Sequence, residues 1–114
     1  MNPCSAPALY YLGEIERTAG QSETAATLYR KATACAPAYG DAYLGLGIAL
    51  QSQDKNSEAL RALRRAVELR PEKSEAHFQL ARALAKAGLQ EESRKELQKA
   101  RELASSSPEA PPRP

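Results

Sequence analysis

The apolar positions of this chain recur on two periods at once. Over short range they keep the three-and-four spacing of an amphipathic helix: Tyr43, Leu46 and Leu50, then, past the polar stretch QSQDKN, Ala59, Leu63, Ala66 and Val67. Over long range the pattern returns every 34 residues, in Leu12, Leu46 and Leu80 and again in Pro3, Pro37 and Pro71. Each long period holds two amphipathic stretches, so the spacing predicts three helix-turn-helix units over 6–39, 40–73 and 74–107. A lead-in at 1–5 reads as the end of a preceding repeat, and the Pro-rich segment at 108–114 as a disordered tail.

The residues between the stretches agree with this division. Gly20 and Gly88 stand where a left-handed C-cap closes the first helix of a unit, and Asp54 takes that place in the middle unit. Pro37 and Pro71 stop the second helices, and Ser22, Asn56 and Ser74 are candidate N-caps.

This pattern resembles the tetratricopeptide repeat family, a 34-residue helix-turn-helix with the motif W-x2-L-G-x2-Y, then A-x3-F, then Pro. The middle unit supplies Tyr43, Leu46, Gly47, Leu50, Ala59, Leu63, Ala66 and Pro71. The first supplies Leu9, Leu12, Gly13, Ala25, Tyr29, Ala32 and Pro37 but has Glu16 at a usually aromatic place. The third supplies Leu80, Ala81, Leu84, Leu97 and Ala100 but departs at His77, Ser93 and Ser105. The resemblance implies an all-α solenoid of six helices in a shallow right-handed superhelix, lined inside by the first helix of each unit.

One hairpin of this kind cannot bury its own apolar stripe, and about three stacked units are needed for stability. The last helix, QEESRKELQKARELA, is polar enough to face water, whereas nothing polar covers the first. That asymmetry leaves a second reading open: a self-association module, or the C-terminal part of a longer array.

If the inner face follows the family, its columns read off directly: Tyr10, Leu44 and Phe78; Tyr11, Gly45 and Gln79; Glu14, Ile48 and Arg82. The first column is wholly apolar, which marks a binding surface for an apolar or amphipathic peptide, with Glu14 and Arg82 orienting it. Family members that hold the C-terminal carboxylate of chaperones use cations and amides at places that here carry Tyr10, Glu14, Gly45, Glu75 and Gln79. Two acids there would repel a carboxylate, so chaperone-tail binding is not expected.

The GLGIAL stretch carries two glycines of different meaning. Gly47 falls in the column of Gly13 and Ala81, a close helix contact where alanine is expected to be nearly neutral. Gly45 has no such counterpart and reads as a dip in the groove, so that Gly45→Ala is expected to stabilise the helix and weaken the partner. Neither belongs to a dinucleotide fingerprint, because the third glycine is Leu50 and the pair lies within a helix.

The remaining chemistry argues against catalysis. His77, the only histidine, stands in a core column without spaced metal ligands, and nothing assembles a nucleophile, base and oxyanion donors. No enzyme activity, cofactor or metal is expected. Cys4 and Cys35 lack metal-ligand spacing and read as plain thiols, Cys35 as a small buried hydrophobe.

The second helices carry Arg30, Lys31, Arg61, Arg64, Arg65, Lys95 and Lys99, but Glu58, Glu68, Glu96 and Glu102 are interleaved. With a net charge of only +2, this is a solvated face rather than a nucleic-acid surface. No apolar run is long enough to span a bilayer, and the start lacks a signal-peptide pattern, which points to the cytoplasm. The expected partner is a protein or peptide, with a second copy of the chain as the alternative.

Overall fold

The computed structural model describes residues 4–106; residues 1–3 and 107–114, which include the tail expected at 108–114, lie outside the described residues. Six helices follow one another: α1 (Ala6–Thr18), α2 (Ser22–Cys35), α3 (Gly40–Ser52), α4 (Asn56–Leu69), α5 (Ser74–Lys86) and α6 (Gln90–Ser105), with no strand among the described residues. They pair as α1/α2, α3/α4 and α5/α6.

The turn inside each pair is closed by the same device. Gly20, Asp54 and Gly88 adopt φ of 84°, 59° and 82°, and the next residue's N–H returns to a carbonyl five positions back: Gln21 to Glu16 at 2.8 Å, Lys55 to Leu50 at 3.0 Å, Leu89 to Leu84 at 2.9 Å. Asp54 does with a side chain what its counterparts do without one.

The expected N-caps shift by one residue. Ser22, Asn56 and Ser74 are the first helical residues, and the cap positions Gln21, Lys55 and Lys73 make no side-chain cap bond. Backbone geometry suffices at the turns, where the carbonyls of Gln21 and Lys55 accept from Ala25 and Ala59 at 2.9 Å. Ser74 Oγ instead donates to the Ala100 carbonyl at 2.8 Å, tying α5 to α6.

Along the array, α1 approaches α3 and α3 approaches α5, whereas the second helices do not approach one another in this way. The first helices are therefore the inner layer of the curve. The core runs through both junctions. Tyr29 and Ala25 of α2 pack with Leu46 and Leu50 of α3 and with Ala59 of α4, and Leu44 and Leu63 pack with Ala76, Leu80 and Leu84 of α5.

Cys4 and Cys35 correct the reading of two plain thiols: they form a disulfide, with Cα atoms 5.5 Å apart. The cause is the hairpin itself, since α1 and α2 are antiparallel and of nearly equal length. The end of α2 therefore returns beside the start of α1, although 31 residues separate the cysteines in sequence.

Candidate binding face

The inner layer places the three columns on α1, α3 and α5, but with unequal exposure. Tyr11 is 63% exposed and Phe78 42%, whereas Leu44 is 6% and Gln79 7%. Leu44 belongs to the second core cluster beside Leu63 and Ala76, so the apolar column is not a continuous exposed stripe. Its middle member pads the junction between units; Tyr10, half-buried, packs against the first cluster and within 6.0 Å of the Tyr29 ring, centroid to centroid.

Gly45 departs further from its expected role. A Cβ there would lie 2.5 Å from Tyr29 Cε1, and Tyr29 is fully buried, so the supposed dip is already filled by a side chain of the preceding unit. The same ring edge lies 2.8 Å from where a Gly13 Cβ would stand, which wedges Tyr29 between α1 and α3. Gly47 is a tight contact as expected, but a Cβ would meet Leu63 Cγ at 2.5 Å; Leu63 is fully buried, so alanine there is not neutral.

At the hydroxyl end of the wedge, Tyr29 donates its proton to Glu14 Oε1, Arg17 Nε donates to Tyr29 Oη at 3.1 Å, and Arg17 Nη2 pairs with Glu14 Oε2 at 3.2 Å. Burial, and then its bond to Glu14, push the Tyr29 phenol above its ordinary range. Burial followed by the Glu14 charge pushes Tyr10 up to about 12. Glu14 is thus committed to its own unit, and its charge is offset by Arg17.

Arg82 is different: it is exposed and donates only a long bond, 3.4 Å, to Gln79 Oε1. With Lys86, Gln51, Ser52 and Ile48 it lines a hollow of about 280 Å³. A second hollow, about 140 Å³, is lined by Tyr10, Glu14, Arg17, Asp41, Leu44, Gly45, Ile48, Lys73 and Glu75. Ile48 lines both, so the two hollows are neighbours on the inner layer. The second hollow is walled in part by Asp41 and Lys73, paired at 2.8 Å, and Asp41 also pairs with Arg70 at 2.9 Å. Sequence reasoning missed Arg17, Asp41, Gln51, Ser52, Lys73 and Lys86 as lining residues, because they lie outside the columns it compared.

His77 is buried, with Nδ1 2.6 Å from Glu96 Oε1 and Nε2 2.7 Å from the Pro71 carbonyl. It fastens α5 to α6 and to the turn ahead of α5. Glu96 therefore leaves the outer charged face, where Arg30 pairs with Glu58 and Arg64 with Glu92, each at 3.3 Å. Among the described residues no cluster of three or more His, Cys, Asp or Glu could hold a metal ion, and no helix is long and apolar enough to cross a membrane.

Comparison with known proteins places this geometry. The family model described as Tetratricopeptide repeat matches residues 1–40 and 44–108. A crystal structure of MamA is 27% identical with a TM-score of 0.82, covering 91% of this chain and 61% of that one. MamA 41-end from Desulfovibrio magneticus RS-1 is 25% identical with a TM-score of 0.83, covering 94% and 60%. The Yersinia enterocolitica type III secretion translocator chaperone SycD (alternative dimer) shares the fold at 22% identity and a TM-score of 0.83, covering 95% and 84%. The chain thus spans about three fifths of the length of the MamA structures it matches. No curated protein matches it.

Proposed function

The chain belongs to the tetratricopeptide repeat family, and from that premise we propose that it is a non-catalytic protein–protein interaction module. Its inner trough takes an extended or amphipathic peptide segment, an apolar side chain resting on Ile48 and an acidic one reaching Arg82 and Lys86. The observation that carries this reading is the position of Ile48 in both hollows, which makes one apolar floor between charged walls. Tyr10, Tyr11 and Phe78 extend the apolar contact towards the two ends, and Gln79 anchors Arg82. Leu44 and Gly45 serve the trough from beneath, as packing.

A chaperone-tail carboxylate clamp is not proposed. Glu14 and Glu75 stand at clamp places that need cations; Glu14 is already taken up by Arg17 and Tyr29, and Glu75 repels a terminal carboxylate.

The Cys4–Cys35 bond bears on location. An oxidising compartment keeps such a bond, whereas a reducing cytoplasm opens it, so the cytoplasmic expectation stands only for the dithiol form of the chain.

The test is a peptide array probed with the chain and with Ile48→Glu and Arg82→Glu. Leu44→Glu is unsuitable, since it would bury a charge in the core. Peptides captured by the native chain should be lost with Ile48→Glu, and Arg82→Glu should shift the preference from acidic to basic sequences. Identical peptide sets for all three chains would refute the reading.

A further inference from the structure

The two ends of the array carry exposed apolar faces at repeat positions that are buried wherever another unit covers them. In α3, Ala42, Gly45, Leu46 and Ala49 are buried under the first unit, and in α5 so are Ala76, Gln79, Leu80 and Ala83 under the second. The same positions of α1 are Ala8, Tyr11, Leu12 and Ile15, all exposed, the last three at 63%, 50% and 60%.

The opposite end is the complementary half. Phe78 stands one repeat after Leu44, yet it is 42% exposed where Leu44 is 6%. With Leu97, Ala100, Ala104 and the rim residues Ser74, Glu75 and Arg101, it lines a hollow of about 640 Å³ on the outer side of α5 and α6. One unit earlier, the corresponding surface of Leu44, Leu63 and Ala66 is where α5 sits.

We propose that this face receives α1 of a second copy of the same chain, so that copies dock end to end in the register of the internal junctions. Charge agrees with that occupant. An ion pair at equivalent positions crosses each internal junction, Arg30–Glu58 and Arg64–Glu92, both at 3.3 Å, and Lys86–Asp54 at 3.9 Å also crosses the second. Across the junction between copies the equivalent residues are Gln98 and Thr24, two uncharged polar groups, so this pair of positions strands no charge, while Glu16 stands at the place of the buried Leu50 and Leu84. The pairing joins unlike faces and is therefore heterologous, which makes it open-ended and dependent on concentration.

Sedimentation velocity on the full chain under non-reducing conditions tests the proposal, with Ile15→Glu spoiling one face and Phe78→Glu the other. Both sites are exposed, and circular dichroism checks the fold; Ile15→Ser and Phe78→Ser replace any variant that loses helix. The native chain should shift from monomer to larger species as concentration rises, while each variant remains monomeric. An equal mixture of the two variants should form a one-to-one dimer and nothing larger, because one good face of each kind survives. A native chain that stays monomeric at high concentration would overturn the proposal, as would Phe78→Glu dimers formed without Ile15→Glu, which would mean that α1 pairs with α1.

Discussion

Tyr29 and Gly45 form a matched pair across the first junction: the fully buried ring of one occupies the space that a side chain on the other would need. One unit later the same two places hold Leu63 and Gln79, a smaller residue facing a larger one. Volume is thus exchanged between the second helix of one unit and the first helix of the next.

Gly45→Ala should therefore destabilise the chain, reversing the expectation drawn from helix propensity alone. Overpacking costs about 1–3 kcal/mol and the propensity gain returns about 0.8–1.0 kcal/mol, leaving a net loss of up to about 2 kcal/mol. Urea denaturation measures it, and combining the substitution with Tyr29→Leu should recover part of the loss through a coupling term of opposite sign.

Asp54 pays the left-handed penalty that Gly20 and Gly88 avoid, at φ 59°. Asp54→Gly should raise stability by up to about 1 kcal/mol, read as a higher midpoint in thermal unfolding without a change in binding.

The Cys4–Cys35 bond closes a loop of about 31 residues around the first unit. On the chain-entropy account its loss costs about 3–4 kcal/mol. Cys35→Ser, or reduction of the native chain, should loosen α1 and α2 before the other helices, which hydrogen exchange resolves helix by helix.

Alkaline pH should unfold the first unit. Tyr10 is held up to about 12 by burial and by Glu14, and Tyr29 is raised in the same direction, whereas an unfolded tyrosine ionises near 10. Between about pH 10 and 12 the unfolded state sheds protons that the folded state retains, so stability present below pH 10 is lost as pH rises. Phenolate absorbance should appear together with the loss of helix.

The fold was legible in the sequence because its period is long and its punctuation repeats. Leu12, Leu46 and Leu80 set the register, and Asp54 could be recognised as a cap because Gly20 and Gly88 flank it at the same interval. The trough was legible only in part, since reading columns compares a residue with its own counterparts in other units. That comparison reveals Gly47 beside Gly13 and Ala81, but it cannot reveal that Gly45 faces Tyr29, a residue at a different position in the neighbouring unit. Leu44 was misjudged as exposed for the same reason: its cover comes from α5. The disulfide escaped because Cys4 lies before the first helix, where no periodicity fixes the chain's path.

The most direct test of the trough as the binding site is site-specific photo-crosslinking, with a benzophenone side chain at position 48 on the inner layer or at position 61 on the exposed outer face. With a peptide selected by the native chain, position 48 should cross-link and position 61 should not, and an excess of unlabelled peptide should abolish the product. Cross-linking from position 61 with none from position 48 would contradict the account.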